Sequence, residues 1–380
     1  IRENKSINAM RFILMIGYCL SKIRFFLILA FMKRTFFIFI LMILPAAYSL
    51  ACTTVIVSAK ASASGRPLLW KQRDTSAEFN YMDFFEESEE GMSFTGVVNT
   101  ADKARESVWC GVNEAGFAIM NSQSYGLSPV NQPERELEGI VMKKALRICR
   151  TVDDFEKYIA SLPQPNGLEA NYGIIDACGG AAYFEVHDLG YKRFDVDTYL
   201  IRSNYSVSGR EGEGKGYDRY DEAERLMQEH SGGFTPEWIL ETLGRNNLIA
   251  RDKTVSSVVF EGIGEGDKPN STVIWCAPGY TPCCYAIPVW CAARNLIPET
   301  LRKASGQGSE MNELANRLLK SKADVRKEVR DAEAIEFSEG RKLDAIFRKE
   351  GIKESAVVEF NKAADTRFRI FKKSVSPASR

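Results

Sequence analysis

The sequence predicts an α+β protein in which antiparallel sheets are covered by helices. Short segments alternate apolar and polar residues with period two, and turn sequences join neighbouring segments into hairpins. Helical segments follow the hairpins in groups instead of alternating strictly with single strands. This order is typical of antiparallel sheets with helices on their faces, and not of a parallel sheet built from strand–helix–strand units.

Composition and charge support a globular chain and exclude several partners. The chain has 380 residues, 45% of them hydrophobic and 26% charged, which is enough for a sizeable core. Residues 1–51 contain seven basic residues and one acidic residue, which leaves 43 basic and 49 acidic residues in the remainder. Nucleic acids and anionic membranes bind basic surfaces, so neither is expected as a partner. With two histidines in the whole chain, a Ser-His-Asp triad or a His-rich metal site is not expected.

Residues 1–51 are expected to be a targeting segment that is removed. From Met32 the chain has a basic start, an apolar run at 36–44, a proline and a small-residue end, the layout of a secretory signal peptide. Residues 1–31 are interpreted as an over-extended start. The apolar run is too short for a stable membrane span, which needs ~20 apolar residues. The mature protein is therefore expected to be exported, to the periplasm or the extracellular space.

The small residues before Cys52 place the cleavage directly in front of it. Ser49 and Ala51 occupy the third and first positions before the cut, where small residues are favoured. An alternative is a lipoprotein signal, in which the Cys52 sulfur is acylated and anchors the chain. That signal prefers a large aliphatic residue where Ser49 stands, so a free N-terminal Cys52 is the favoured interpretation.

The mature chain opens with a predicted β-hairpin. Residues 53–57 and 67–70 read as strands, and residues 61–66 form the turn. If the hairpin is symmetric about Ala63, facing residues have numbers that sum to about 126. This register sets Cys52 beside Asp74 and places Lys71 within one or two rungs.

Further strands and helices follow as a single domain over residues 52–380. Strands are predicted at 108–112, 117–121, 172–175, 182–186, 199–205, 255–260, 272–276 and 284–290. Helices are predicted at 137–149, 152–161, 218–230 and 236–243, the second capped by Thr151 and the fourth by Thr235 before Pro236. From about residue 300 the chain is expected to be helical, at 309–348 and 352–372, and to pack on the same domain.

A cysteine at the first position of a mature chain carries its own base. The α-amino group has an ordinary pKa of about 7.7 to 8.0, so near neutral pH a fraction is unprotonated and can take the thiol proton. No histidine is required, which suits this chain. Cys52 is therefore predicted to be a nucleophile.

The opening motif resembles a known enzyme family. Cys-Thr-Thr at 52–54, Gly65, and Leu-Leu-Trp-Lys-Gln-Arg-Asp at 68–74 are similar to the start of the N-terminal-nucleophile (Ntn) linear amide hydrolases. That family includes penicillin V acylase, choloylglycine (bile salt) hydrolase and the acyl-CoA:6-aminopenicillanic acid acyltransferases. Its Arg-x-x-Asp is matched by Lys71-x-x-Asp74, with Lys in place of Arg. Similarity continues at 111–117, at 171–176 and at 201–204, and spans roughly residues 52–290.

The resemblance implies a fold and a set of roles. The fold is the four-layer αββα sandwich of the Ntn-hydrolase type. Cys52 is implied as nucleophile and base, Asp74 as the residue that positions its amine, and Lys71 as a cation beside the thiolate. Asn204 is implied as an oxyanion donor, with Asn121 as the candidate second donor. Arg251 or Lys253 could supply a further cation.

The function expected from these residues is hydrolysis of a linear amide, or transfer of its acyl group, through an acyl-Cys52 intermediate. The partner is a small-molecule N-acyl amide. Bile salts, penicillin V, acylated amino acids and peptides all remain open, as does the oligomeric state, a homo-oligomer included. No cofactor or metal is expected, since the six-residue gaps among Cys276, Cys283, Cys284 and Cys291 do not suit zinc. If a disulfide forms, it is expected among these four cysteines; the alternative is that they are buried thiols.

Two other functions remain open. The first is a dipeptidase-like Ntn peptidase, and the second is a non-catalytic lipoprotein anchored through Cys52.

Overall fold

The computed structural model describes residues 52–128 and 137–376, and the predicted targeting segment lies outside these ranges. The described chain forms two antiparallel sheets with helices outside them. The first sheet has six strands in the order β10-β1-β2-β11-β12-β13. The bounds of these strands are Thr53–Val57 (β1), Leu68–Asp74 (β2), Tyr199–Arg202 (β10), Thr254–Glu261 (β11), Val273–Ala277 (β12) and Ile287–Trp290 (β13).

The second sheet has seven strands that follow one another in chain order, from β3 to β9. Its strands are Asn80–Phe85 (β3), Phe94–Asn99 (β4), Cys110–Asn113 (β5), Ala118–Gln123 (β6), Ala170–Ile175 (β7), Ala181–His187 (β8) and Gly190–Asp195 (β9). β3, β4 and β9 were not expected from the sequence. β9 is a half-exposed edge strand, so its alternation lacks the apolar residues by which a strand is recognised.

The β1–β2 hairpin forms as predicted, but its register differs by one residue. Thr53 pairs with Gln72 and Thr54 with Lys71, so the numbers of facing residues sum to 125 and not to the predicted 126. The same register, continued by one residue, sets Arg73 and not Asp74 opposite Cys52. Because side chains alternate along a strand, the shift moves Asp74 to the opposite face of the sheet. Lys71 and Arg73 face the second sheet, while Gln72 and Asp74 face the helices.

Two helices cover the outer face of the seven-stranded sheet. They are α1 (Glu138–Ile148) and α2 (Val152–Ala160). Thr151 caps α2 as predicted, since its hydroxyl accepts a hydrogen bond from the Asp154 backbone while the Asp154 carboxylate accepts one from the Thr151 backbone. Phe155 of α2 is fully buried and packs against aromatic rings of β7 and β8.

The remaining helices cover the outer face of the six-stranded sheet. They are α3 (Tyr217–Glu229), α4 (Pro236–Trp238, continued by a π-helical turn at Ile239–Leu243), α5 (Glu310–Lys320), α6 (Arg326–Glu350) and α7 (Glu354–Ser374). The helix predicted at 309–348 is divided into α5 and α6, because the chain turns at Lys322 with a φ of 53°. The sequence of layers is therefore helix, sheet, sheet, helix, and the expected α+β αββα sandwich is confirmed.

Candidate active site

A cavity of about 340 Å³ opens where β1 begins, next to the ends of β2 and β6. It brings together four of the five predicted site residues, which are Cys52, Lys71, Asp74 and Asn121. The fifth, Asn204, does not line the cavity but is connected to Cys52 through a buried arginine described below. Arg73, Thr75, Asn99, Asp102, Trp109 and Gln123 are among the other lining residues.

Cys52 stands immediately before β1 and is 7% exposed. The strand that Cys52 leads into runs between β2 and β10, which pair with it on both sides from Thr53 or Thr54 onward. Because its position in the register matches that of Arg73, its side chain lies on the face that meets the second sheet. There Lys71 is close enough for its charge to interact with a negative charge on the Cys52 sulfur, and the buried thiol of Cys110 lies nearby.

Lys71 spans the space between the two sheets. Its Nζ donates one hydrogen bond of 2.6 Å to Asn121 Oδ1 and one of 2.8 Å to the carbonyl of Trp109. Burial lowers the pKa of this ammonium to about 8, and the negative charge of the Cys52 thiolate acts in the opposite direction. An ammonium has three hydrogens, so one remains for an anion at Cys52 or for a substrate.

Asp74 lines the cavity, but its contacts differ from the predicted one. Its Oδ2 accepts hydrogen bonds from Arg251 Nε (3.0 Å) and Nη2 (2.7 Å), and its Oδ1 accepts one of 2.6 Å from Thr254 Oγ1. Burial raises the pKa of the Asp74 carboxyl, while Arg251 opposes that rise. The prediction that Asp74 faces Cys52 across the hairpin is wrong, because of the one-residue register shift. Of the two cations considered for this region, the structure places Arg251 on Asp74.

Asn204 and Arg219 form a chain of hydrogen bonds to the start of β1. Arg219 Nη2 donates to Asn204 Oδ1 over 2.6 Å, and Nη1 donates to the Cys52 carbonyl over 2.5 Å and to Thr53 Oγ1 over 2.7 Å. Asn204 Nδ2 donates to the Gln123 carbonyl over 2.8 Å. All these side chains are buried.

Sequence reasoning did not single out Arg219, although one signal was available. Arg219 lies in the first turn of α3, where the positive end of the helix dipole disfavours a cation. A basic residue in that place suggests an interaction made elsewhere. Arg73 and Trp109 were also missed. The Arg73 guanidinium lies 4.7 Å from the centre of the Trp109 ring, and the period-two pattern already puts residue 73 on the same face as Lys71.

Within residues 52–128 and 137–376, the seven cysteines other than Cys52 are unpaired thiols, and among them only Cys178 is exposed. Burial raises the pKa of Cys110 to about 11 and that of Cys291 to about 12. Within residues 52–128 and 137–376, no group of three or more His, Cys, Asp or Glu side chains could hold a metal ion. The helices in those ranges include none that is long and apolar enough to cross a membrane.

Chemically, the arrangement suits attack of a thiolate on a carbonyl. The cavity holds a thiol, a cation with a depressed pKa beside it, and amide side chains able to donate to a developing oxyanion. These groups come from both sheets, so the rigidity of the sandwich fixes their positions.

Comparison with known proteins gives structural matches only. No family model matches the sequence, and no curated protein matches it. Among solved structures, an N-acylethanolamine-hydrolyzing acid amidase ortholog from Caenorhabditis elegans matches with a TM-score of 0.42 and 12% identity, over 55% of this chain and 92% of that chain. A conjugated bile acid hydrolase variant from Clostridium perfringens has a TM-score of 0.43 and 9% identity, over 63% of this chain and 92% of that chain.

A penicillin V acylase from Agrobacterium tumefaciens has a TM-score of 0.33 and 9% identity, over 63% of this chain and 86% of that chain. All three TM-scores are below 0.5, so the fold and the roles of individual residues rest on the geometry of this chain.

Proposed function

We propose that the protein is an exported cysteine Ntn-hydrolase that cleaves a linear amide, or transfers its acyl group, through an acyl-Cys52 thioester. The observation that carries the proposal is the meeting of Cys52, Lys71 and Asn121 in one cavity at the start of β1. The three residues are separated in sequence and come from two different sheets. A purely structural role does not call for a buried lysine beside a thiol.

In the first half of the reaction, the unprotonated α-amino group of mature Cys52 takes the thiol proton. The sulfur attacks the amide carbonyl carbon, and the carbonyl oxygen becomes an oxyanion. Collapse of this intermediate breaks the C–N bond, and the departing nitrogen takes the proton from the Cys52 ammonium. An amine leaves, and a thioester remains on Cys52.

In the second half, the α-amino group takes a proton from water as the water oxygen attacks the thioester carbonyl. Collapse breaks the C–S bond, and the proton returns to the sulfur. The products are a carboxylic acid and free Cys52. An amine or alcohol in place of water would make the same step an acyl transfer.

The surrounding side chains can stabilise both anions in this sequence. Lys71 offers its remaining hydrogen and its charge to the thiolate. Because Asn121 Oδ1 accepts from Lys71, the amide nitrogen of Asn121 is the end that remains to donate to an oxyanion. One such preorganised donor is worth about 3 kcal/mol in comparable sites.

The burial of Cys52 favours an enzyme over a lipid-anchored binding protein. A diacylglycerol on Sγ would need a path out of a site where the residue is 7% exposed. The cavity of about 340 Å³ is lined in part by the charged side chains of Lys71, Arg73, Asp74 and Asp102, and covering these groups with lipid chains would be costly.

The test is to express the chain with its leader, purify the processed protein, and determine its N-terminus by intact mass. A free Cys52 N-terminus is expected, whereas a diacylglyceryl thioether would contradict the proposal. The processed protein is then incubated with a panel of N-acyl amides that includes acylated amino acids, ethanolamides, bile salt conjugates, penicillin V and dipeptides. Amine release, together with an acyl adduct on the Cys52 peptide after acid quenching, is the expected result. No amine release from any of them, with Cys52 free, would overturn it.

A further inference from the structure

We propose that Arg219 is a positioning residue for this reaction, which acts through the backbone of Cys52 and the side chain of Asn204. The inference rests on the proposed function. It arises because one buried guanidinium joins the residue that carries the nucleophile to the residue implied as an oxyanion donor.

The first step is geometric. Arg219 donates to the carbonyl of Cys52 and to the hydroxyl of Thr53, so it holds the backbone at the point where the mature chain begins. A first residue has no preceding peptide to fix it, and chain ends are ordinarily poorly ordered. A fork-shaped donor on the carbonyl of Cys52 therefore limits the motion of its thiol and its amine.

The second step concerns the orientation of the Asn204 amide. The oxygen and nitrogen of an asparagine side chain have similar shapes, and their hydrogen-bond partners decide which is which. Arginine can only donate, so the atom that faces Arg219 must be Oδ1. This fixes Nδ2 as the donor end of the side chain, and one of its two hydrogens is used by the carbonyl of Gln123.

The third step is electrostatic. Arg219 is 1% exposed and, among the residues that the structure describes, it forms no ion pair. A buried cation without a bonded counter-ion is costly to the fold. Burial indeed lowers the pKa of Arg219, with the neighbouring Arg251 as a second cause, while Asp74 and the Cys52 thiolate act in its favour. A negative charge on the Cys52 sulfur would attract the guanidinium and so reduce the free-energy cost of burying Arg219.

The backbone before α3 is shaped to hold this side chain. Gly216 precedes the helix with a φ of +76°, and a Cβ there would lie 2.0 Å from Arg219 Nη2 and 2.7 Å from its Cζ. The Arg219 guanidinium thus folds back over position 216, where only glycine, which has no Cβ, leaves enough room. An alanine at 216 would push the guanidinium away while leaving Arg219 in the sequence.

The charge of Arg219 also bears on the base. A cation near the Cys52 amine disfavours its ammonium form, and so lowers the pKa of that amine. The charged and titratable groups that face the same place come from β2, β5, α3, the loop after β4 and the segment before β11. They are Lys71, Arg73, Asp74, Asp102, Cys110, Asp218 and Arg251. Removing one positive charge from this set should move the acid limb of the activity profile to higher pH.

The experiment compares Arg219→Lys, Arg219→Gln and Gly216→Ala with the processed wild type. The control is Arg225→Gln, which makes the same change on an exposed part of the same helix. Two profiles are measured against pH: hydrolysis of the best amide from the panel, and alkylation of Cys52 by iodoacetamide, followed by mass spectrometry of the N-terminal peptide. The alkylation requires no substrate, so it reports on Arg219 even if no amide in the panel is cleaved.

We expect Arg219→Gln to lower kcat about 10- to 100-fold with little change in KM, and to move both profiles to higher pH by about half a unit or more. Arg219→Lys keeps the charge but loses the fork, so kcat should fall without a shift of either profile. Gly216→Ala should lower kcat in the same way, and Arg225→Gln should match the wild type.

Arg219→Gln with wild-type kcat and unshifted profiles would overturn the inference. So would a variant whose only defect is a lower melting temperature, because that outcome means that the arginine merely docks α3. If Arg219→Gln does not fold, Gly216→Ala and Arg219→Lys decide, and a wild-type kcat in both would overturn the inference. Failure of the wild type to cleave any amide is a separate result, which counts against the proposed function.

Discussion

Lys71 Nζ and Asn121 Oδ1 are joined by a 2.6 Å hydrogen bond that crosses from the six-stranded to the seven-stranded sheet. The bond ties the packing of the two sheets to the geometry of the site, because neither residue can move without its own strand. It also puts a titrating ammonium in the middle of the sandwich.

The buried ammonium should make stability depend on pH. The pKa of Lys71 is about 8 in the folded protein and 10.5 in its reference state, so folding favours loss of the proton. The resulting penalty is full below pH 8 and fades as the pH rises toward 10.5. We expect the free energy of unfolding of the wild type, relative to that of Lys71→Met, to increase by about 2 kcal/mol between pH 7 and pH 10.

Urea unfolding of both proteins at the two pH values measures this change. Lys60→Met, at an exposed lysine, is the control and should show no such trend. A constant difference between wild type and Lys71→Met across the range would mean that Lys71 keeps its proton throughout.

Loss of the Cys52 thiol should abolish turnover while the fold survives. Cys52→Ala removes the nucleophile, and Cys52→Ser replaces the thiol by an alcohol that an α-amine activates poorly. Amine release should fall at least 1,000-fold in both, an order-of-magnitude estimate for loss of a covalent nucleophile, with melting curves close to that of the wild type. Cys178→Ser, at the exposed thiol, is the matched control and should keep full activity. Comparable activity of Cys52→Ala and wild type would exclude a covalent route through this residue.

Removal of residues 1–51, which frees the amine of Cys52, should be required for activity. While Ala51 is attached, the nitrogen of Cys52 is an amide that cannot accept a proton. A protein whose processing is blocked at this bond should release no amine, and one beginning Met-Cys52 should gain activity in step with removal of the methionine. The two quantities are followed in parallel by intact mass and by amine release. Full activity with residue 51 retained would rule out the α-amine as base.

Asp74 and Arg251 should move the pH profile in opposite directions. Asp74→Asn removes a negative charge from the cavity that Cys52 also lines. The pKa of the Cys52 amine should therefore fall and the acid limb should shift to lower pH, whereas Arg251→Gln should shift it to higher pH. Both lose the 2.7 Å ion pair, so both should lose stability, Asp74→Asn by about 1–3 kcal/mol because its carboxylate is buried and accepts three hydrogen bonds.

The comparison of the pair separates electrostatics from packing. Activity profiles and melting curves are recorded for both variants. Equal shifts, or none in either, would leave Asp74 as a structural residue that holds Arg251 and Thr254.

The sequence predicts most of the fold because its alternation is strong where strands are buried. β1 coincides with the predicted 53–57, and the caps at Thr151 and Thr235 lie where they were predicted. The break between α5 and α6 was missed because neither Pro nor Gly marks it; Lys322 adopts a positive φ that is rare for such a residue. β9 was missed because an edge strand need not carry an apolar face.

Four of the five candidate site residues lie together, but their contacts with one another were not predicted. Cys52, Lys71, Asp74 and Asn121 do share one cavity. Their contacts depend on a hairpin register that a single residue in the turn can change, and one step exchanges the two faces of the sheet. Arg219 could not be placed by strand pairing at all, because it reaches Cys52 from a helix across 167 positions of the sequence.

The C-terminal helices have a consequence for how far the chain can be shortened. Glu333 of α6 accepts hydrogen bonds of 2.7 and 2.8 Å from the buried Arg245 and one of 2.8 Å from the Ala286 backbone. Phe337 of the same helix stacks on Trp275, with 4.1 Å between the ring centroids. A stop codon near residue 300 would leave that guanidinium and the aromatic face of the six-stranded sheet in water. Trimming the gene to the part that resembles the enzyme family would therefore yield an insoluble product, although every residue of the cavity would still be encoded.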